Sequence, residues 1–259
     1  AKTLAKVIGC TMGRIQFTPD TLPGDVTGMS VYDMKTGAFQ YREGAVMKQI
    51  LLADEINRTA PKTQASLLEA MAERQVTVDG NTYALPKPFM VIATQNPVEF
   101  LGTYPLPEAQ LDRFMFKILV KFPGKEELKE IVNLTEGGKA PTIEKKMDGE
   151  ALLAARELVN QIPIADAVMD YLLDIVMETH AQNVYIREGA SPRAAQALVR
   201  AAKAKAFLDG RFNVSFKDVE DAAYPVLRHR IIISFDAISE GITEDAVIKQ
   251  ILEAKKPRV

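Results

Sequence analysis

The stretch from Gln49 to Asn57 constrains the fold more than any other, because it joins a buried-strand pattern to two adjacent acids. Ile50 to Ala53 is a continuous apolar run, typical of a strand covered on both faces of a parallel sheet. Asp54 and Glu55 follow at its carboxyl end, where open α/β sheets bind ligands. One acid can hold Mg²⁺ while the other orients a water that attacks a phosphate. A strand end with a solvated turn gives the same pattern, so both interpretations stay open here.

A second apolar run ends in polar residues at a matching place. Phe89 to Gln95 is typical of a strand and is followed by Asn96 and Pro97. Neighbouring parallel strands lie about 5 Å apart, so we expect Asn96 beside the two acids. There its amide can hydrogen-bond the attacking water or a terminal phosphate. The alternative is that Asn96-Pro97 only starts a turn, which this dipeptide favours.

The chain begins with Ala1-Lys2-Thr3 before an amphipathic stretch. In the phosphate-loop pattern Gly-x-x-x-x-Gly-Lys-Ser/Thr, the lysine reaches the outer phosphates and the hydroxyl ligates Mg²⁺. Lys2 and Thr3 fit the last two positions, with Ala1 where the last glycine would stand. A Lys-Thr pair before a helix is also common without any phosphate.

Several long blocks of this sequence resemble one family, the MoxR family of AAA+ ATPases. The resemblance runs through nearly the whole chain, and its blocks are too long to agree by chance. The blocks are Asp54–Arg58, Pro61–Gln64, Leu67–Met71, Ala93–Pro97, Gly102–Phe114 and Gly189–Ala194.

The resemblance implies an α/β fold of the AAA+ type, an αβα sandwich with a parallel sheet followed by an all-α lid domain. It implies an ATP-hydrolysing, Mg²⁺-dependent protein that forms a ring, usually hexameric, and has chaperone-like roles in maturation. Such proteins often act with a partner that carries a von Willebrand A domain.

The resemblance also implies roles for particular residues. It assigns nucleotide and metal binding to four residues and catalysis to three. The binding residues are Lys2, Thr3, Asp54 and Arg193, with Thr3 and Asp54 on the metal; the catalytic ones are the base Glu55, the water-sensing Asn96 and the arginine finger Arg113.

The sequence departs from the family pattern at its start. It lacks the upstream glycines and the strand that should precede the phosphate loop. That strand is central in the AAA+ sheet, so its omission would leave backbone groups unpaired on two neighbours. We therefore predict that the natural chain begins before Ala1.

Arg193 and Arg113 also have local interpretations. Ser191-Pro192 predicts a helix start, which places the Arg193 cation where it opposes the helix dipole unless an anion lies nearby. A phosphate would supply that anion, and a solvent-screened arginine is the alternative. Arg113 precedes Phe114–Val120, a predicted buried strand, and either pairs with Asp112 or Glu108 or reaches a neighbouring subunit. Arg58 is a second candidate for that contact.

The composition favours an intracellular globular protein, and we predict a cytoplasmic location. The 259 residues are 47% hydrophobic, enough for one large or two modest cores. The single cysteine, Cys10, excludes an internal disulfide, and no apolar run is long enough to span a membrane. Lys and Arg number 32 against 34 for Asp and Glu, which gives no bulk attraction to nucleic acid.

The pattern of elements predicts three regions: a nucleotide-binding core at 1–124, a connecting helix and linker at 125–147, and a helical lid at 148–259. Pro19–Tyr41 is identified by resemblance as an insertion, although an ordinary surface loop fits it as well. An Asp-Gly pair at 79–80 predicts a hairpin, and Gly137–Pro141 predicts a flexible joint. Arg228–Arg230 is interpreted as a charged turn, with a subunit contact as the alternative.

The sequence is also compatible with two other classes of function. A nucleic-acid motor or loader of the same AAA+ branch is disfavoured by the balanced charge and by a hairpin without Lys or Arg from Val76 to Leu85. A non-hydrolysing scaffold is conceivable because Ala1 and the absent glycines weaken the phosphate-loop pattern.

Overall fold

The computed structural model describes residues 1–96, 103–136 and 142–255, with the backbone alone at Glu136. Strands and helices alternate in the first part. In chain order this part contains α1 (Lys2–Val7), β1 (Met12–Gln16), α2 (Pro23–Thr27), β2 (Gly28–Asp33), β3 (Ala38–Glu43), β4 (Ile50–Asp54), a 3-10 turn (Ile56–Arg58), α3 (Pro61–Glu73), β5 (Gln75–Val78), β6 (Asn81–Ala84), β7 (Met90–Ala93) and α4 (Glu108–Leu111).

The second part is mainly helical. It contains α5 (Lys125–Glu136), α6 (Gly149–Gln161), α7 (Asp166–Glu178), β8 (Ile186–Glu188), α8 (Pro192–Leu208), α9 (Phe216–Leu227), β9 (Ile232–Ile233), α10 (Phe235–Ser239) and α11 (Glu244–Ala254). No helix of the described ranges is both long and apolar enough to cross a bilayer. The predicted region boundaries at 124 and 147 stay predictions, and the joint at Gly137–Pro141 lies outside the described residues.

A parallel three-stranded sheet in the order β1-β4-β7 carries the two predicted strand ends. Its register sets Gln16 beside Asp54 and Ala53 beside Ala93, so the carboxyl ends of all three strands meet at one edge. The predicted α/β fold with a parallel sheet and a helical lid is confirmed.

The apolar run of β4 forms the centre of the core because both of its faces are covered. Ile50, Leu51 and Ala53 have no exposed surface. Leu51 and Ala53 pack with Leu67 and Leu68 of α3, while Ile50 packs with Ala5 and Ile8 beside α1. Burial of each of these leucine and isoleucine side chains stabilises the fold by roughly 1.5–3 kcal/mol.

Two antiparallel hairpins extend from the core. The segment Pro19–Tyr41 contributes α2, β2 and most of β3, and the second hairpin pairs β5 with β6 around Asp79 and Gly80. Both turn residues have positive φ, 49° and 78°, as the Asp-Gly signal predicts. The rings of Tyr41 and Tyr83 stack at 3.9 Å between centroids, which joins the two hairpins.

The lid helices pack around a second apolar core. Leu172 of α7, Leu198 of α8, Leu227 of α9 and Ile248 of α11 are completely buried in one cluster. The helices begin at side chains that cap their first amides; the caps are Asp148, Ser191, Ser215 and Thr243.

The predicted strand at Phe114–Val120 is wrong. The segment is irregular, with Ile118 74% and Val120 93% exposed. An apolar run becomes a strand only beside a strand that pairs with its backbone, and in the described ranges the sheet ends at β7. The N–H of Lys117 instead donates to Pro225 O of α9 at 2.8 Å, so the segment attaches to the lid.

The predicted charged turn at Arg228–Arg230 is confirmed, and His229 and Arg230 within it are buried. The Arg230 side chain is only 3% exposed and pairs with Asp112 at 2.8 Å. His229 Nε2 lies 2.8 Å from Phe114 O, and Arg228 donates to Lys117 O. These residues therefore attach the lid to the turn that follows α4. We call the contact between Arg228–Arg230 and this turn the lid joint.

Candidate active site

Asp54 ends β4 and is held from two sides. Arg14 Nη2 donates to its Oδ2 at 2.7 Å, and Thr94 Oγ1 donates to its Oδ1 at 2.6 Å. The hydrogen bond from Thr94 and the guanidinium of Arg14 lower the pKa of this carboxyl below its ordinary value. Asp54 is therefore an ionised carboxylate at neutral pH, as a metal ligand must be.

Glu55 adopts a left-handed backbone conformation, with φ 55° and ψ 50°. This conformation is uncommon for a residue with a Cβ and costs free energy of the order of 1–3 kcal/mol. The N–H of Glu55 donates to Thr94 Oγ1 at 2.8 Å, which helps to fix the turn. Gln16 Nε2 and Arg58 Nη1 both donate to Glu55 Oε2 at 2.9 Å. The two acids thus share Thr94 as a common support.

Asn96 lies two residues beyond Thr94, past the end of β7. Its carbonyl oxygen accepts a hydrogen bond from Asn57 Nδ2 at 3.3 Å, which ties the segment to the turn that follows Glu55. Asn57 is 9% exposed, so this link is shielded from solvent. The structure therefore brings Asp54, Glu55 and Asn96 to one edge of the sheet, which we call the acidic edge.

Lys2 and Thr3 occupy the first turn of α1, and both are exposed. The helix ends just before β1 and packs Ala5 against Ile50 at the start of β4. The roles of Lys2 and Thr3 at the acidic edge stay predictions.

Arg193 stands in the first turn of α8, where Ser191 caps the helix as the sequence predicts. The anion beside it is Asp112, whose Oδ2 accepts from Arg193 Nη1 at 3.3 Å. Arg113 pairs with neither Asp112 nor Glu108; its Nη1 donates to Leu68 O of α3 at 3.1 Å. Arg193 belongs to the lid joint, and Arg113 lies beside it, bound to α3.

Three residues that support the acids escaped the sequence prediction: Arg14, Gln16 and Thr94. A signal for two of them was present, because Arg14 and Gln16 are two residues apart on one strand and so share a face. The parallel pairing of β1 with β4 then places that face beside Asp54 and Glu55.

The donors fit a Mg²⁺-nucleotide better than a metal bound by protein alone. In the described part of the chain, no cluster of three or more His, Cys, Asp or Glu residues is placed to hold a metal. Mg²⁺ is usually bound through one or two carboxylates together with substrate phosphates and water. The ionised Asp54 and the hydroxyl of Thr3 are donors of that kind.

Comparison with known proteins identifies the family of the chain. Two family models match the chain: "ATPase family associated with various cellular activities (AAA)" over residues 1–116, and "AAA lid domain" over residues 178–251. The chain is 40% identical over 260 residues to Chaperone MoxR1 of Mycobacterium tuberculosis, covering 97% of this chain and 69% of that protein.

Two further relatives are similar over most of their length. Uncharacterized protein YeaC of Bacillus subtilis is 46% identical over 256 residues, which covers 98% of this chain and 80% of that protein. A crystal structure of a protein from Cytophaga hutchinsonii assigned as an ATPase superimposes with a TM-score of 0.90 at 42% identity, covering 97% of this chain and 79% of that one.

A parallel sheet with acids at its carboxyl edge, followed by a helical lid, defines the AAA+ class. Within that class, the chain belongs to the MoxR family of AAA+ ATPases.

Proposed function

We propose that this protein binds Mg²⁺-ATP at the acidic edge and hydrolyses it to ADP and phosphate. The observation that carries the proposal is the shared support of the two acids: Thr94 binds the Asp54 carboxylate and the Glu55 amide with one hydroxyl. Such an arrangement keeps a metal-binding acid and a base at a fixed separation, as phosphoryl transfer to water requires.

In this proposal each site residue has a separate role. Lys2 and Arg193 bind phosphate oxygens, and Thr3 and Asp54 hold Mg²⁺. When bound, Mg²⁺ offsets negative charge on the phosphates. Asn96 donates to the water or the terminal phosphate.

Glu55 orients the attacking water and accepts its proton. Within the described residues, the bonds from Gln16 and Arg58 both end on Oε2, which leaves Oε1 to face the water. The left-handed backbone at Glu55 aims the side chain and is the kind of local strain found at functional sites.

The substitution Glu55→Gln tests this assignment in the complete natural chain. It keeps the shape and removes the base, so ATP binding should persist while turnover falls by about 10²-fold or more. The matched control is Glu69→Gln, which changes an exposed glutamate of α3. Unchanged turnover in Glu55→Gln would refute the role of Glu55 as base.

We also propose a ring, usually a hexamer, in which Arg113 reaches the nucleotide of a neighbouring subunit. The support is its exposure and its place beside the lid joint, where, among the described residues, its guanidinium donates to a backbone carbonyl of α3 alone. Arg113→Ala should lower turnover by about 10³-fold. Mixing Arg113→Ala with Glu55→Gln should restore part of the activity, because a mixed interface can combine an intact base with an intact finger. No recovery at any ratio would contradict action between subunits, and Arg58→Ala is then the variant to mix.

The name Chaperone MoxR1 of the mycobacterial relative supports a chaperone-type role for this protein. We propose that ATP turnover drives maturation of client proteins in the cytoplasm, with a von Willebrand A domain protein as partner. Co-purification of such a partner with Glu55→Gln, and its release by the active protein with ATP, would test this. Stimulation of turnover by DNA or RNA instead would favour a nucleic-acid motor.

A further inference from the structure

Asp112, in the turn after α4, accepts hydrogen bonds from three side chains of the lid. Arg230 Nε donates to Oδ1 at 2.8 Å, while Ser191 Oγ and Arg193 Nη1 donate to Oδ2 at 2.8 Å and 3.3 Å. Burial alone would raise the pKa of this carboxyl, but the bonds from Ser191 and the two arginines lower it below its ordinary value. One ionised carboxylate thus holds two arginines, each by a different oxygen.

The bond to Arg230 is fixed. The Arg230 side chain is 3% exposed, and its guanidinium makes five hydrogen bonds. Besides the carboxylate of Asp112, the acceptors are backbone oxygens of Asp112, Phe114, Met115 and Val226. Breaking this set would leave a buried charge without partners, which costs far more than an exposed pair.

The bond to Arg193 is exchangeable. The Arg193 side chain is 57% exposed, and its pairing distance of 3.3 Å is longer than that of Arg230. An exposed pair of this kind contributes little, so another anion of similar charge can replace the carboxylate. A phosphate group offers the same acceptor chemistry to a guanidinium.

We propose that Asp112 is a positioning residue that competes with the nucleotide phosphate for Arg193 and thereby weakens nucleotide binding. Its bond to Arg230 meanwhile keeps the lid attached to the turn that carries Arg113. Nucleotide binding then exchanges one partner of Arg193 for another and leaves the Arg230 bonds in place. The inference rests on the proposed function, in which Arg193 binds phosphate.

The substitution Asp112→Asn separates the two bonds. Its amide oxygen can still accept from Arg230, while its NH₂ group replaces Oδ2 and can donate to Ser191 Oγ but not to Arg193. The dissociation constant is measured with the Mg²⁺ complex of a slowly hydrolysed fluorescent ATP analogue. We expect binding about two- to fivefold tighter than in the unaltered protein, the range for one exposed ion pair.

A double-mutant cycle with Arg193→Ala distinguishes competition from a structural effect. In the Arg193→Ala background, Asp112→Asn should change affinity by less than about 1.5-fold, because no arginine is left to release. Glu108→Gln is the matched control, since it removes another exposed pair between core and lid, Glu108 with Arg187, and should leave affinity unchanged. Tighter binding that disappears with Arg193→Ala supports the inference.

No gain in affinity, or a gain that persists in Arg193→Ala, overturns it. If thermal unfolding shows that Asp112→Asn is not folded, Asp112→Ser, which keeps a hydroxyl acceptor and removes the charge, takes its place with the same outcomes. If the unaltered complete chain does not bind the analogue, the proposed function fails as well. Binding by the unaltered chain without a gain in the variant rejects only the role of Asp112.

Discussion

The acidic edge and the lid joint are built from the same pair of residues, an aspartate and an arginine, in opposite surroundings. At the acidic edge, Arg14 is 53% and Asp54 is 23% exposed; at the lid joint, Arg230 is 3% and Asp112 is 12% exposed. The two pairs have nearly the same length, 2.7 Å and 2.8 Å. Distance therefore does not distinguish them, and burial does.

This difference indicates different roles. A solvated pair can be exchanged for a ligand at low cost, because water stabilises either charge when it is released. A buried pair cannot be exchanged, because each charge depends on the other and on surrounding carbonyls. The acidic edge is suited to chemistry and the lid joint to holding two parts of the molecule together.

The largest expected effect is on the lid joint. Arg230→Ala should lower the free energy of unfolding by about 3–5 kcal/mol, because it removes the donors to Asp112 Oδ1 and to four backbone carbonyls. Denaturant unfolding measures the change, and Arg200→Ala, at an exposed position of α8, is the control. A loss no larger than that of the control would show that the buried pair does not stabilise the joint.

The next effect depends on pH and arises from His229. Burial lowers its pKa to about 4, and its buried Nδ1 has no hydrogen-bond partner among the residues that the structure describes. The unfolded chain binds this proton below about pH 6.5 and the folded chain only below about 4, so stability is complete above the first value and falls between the two. The loss should approach roughly 3 kcal/mol by pH 4.

His229→Gln should flatten this dependence between pH 6.5 and 4, as measured by denaturant unfolding at several pH values. His180→Gln removes the other histidine of the chain and is the control. An unchanged slope in His229→Gln would mean that a different group titrates in this window.

A smaller effect is expected at the acidic edge from Thr94→Val. The substitution removes a donor to Asp54 and an acceptor for the Glu55 amide, which should cost about 1–3 kcal/mol. It should also lower turnover, because the two acids lose their common support. Thr94→Ser keeps the hydroxyl and should preserve both properties. A loss in Thr94→Ser as large as that in Thr94→Val would show that keeping the hydroxyl does not preserve the site, against its role as common support.

The smallest effect is expected from Arg14→Ala, which removes the exposed ion pair between Arg14 and Asp54. The free energy of unfolding should change by less than about 1 kcal/mol. Arg42→Ala, on the exposed strand β3, is the control. A loss as large as that of Arg230→Ala would remove the distinction between the two regions.

Sequence patterns predicted the elements whose signals are local. The strand β4 follows from its apolar run, the second hairpin from Asp79-Gly80, and the start of α8 from Ser191-Pro192. Asp54, Glu55 and Asn96 come together because neighbouring parallel strands end at the same edge of a sheet, so their placement can be predicted from the sequence. The roles of these residues stay predictions.

The features that local sequence patterns did not predict depend on contacts between distant parts of the chain. The strand predicted at Phe114–Val120 required a neighbour, and its backbone binds the lid instead. The burial of Arg230 depends on Asp112, more than a hundred residues earlier in the chain. Charged residues in a short run are usually solvated, so the sequence around Arg230 or around Asp112 does not predict that the two form a buried pair. Contacts across such a separation follow from the packing of whole elements, which local patterns do not encode.

The stacked rings of Tyr41 and Tyr83 give the outer part of the molecule a mechanical connection to its interior. A partner protein that displaces the tip of the β2–β3 hairpin must also move the β5–β6 hairpin, since separating the two rings would expose their faces to water. The second hairpin leads through the buried Leu85 into β7, and β7 ends one residue before Thr94. Force applied at the periphery would thereby reach Thr94, which supports Asp54 and Glu55, by a route that bypasses the lid.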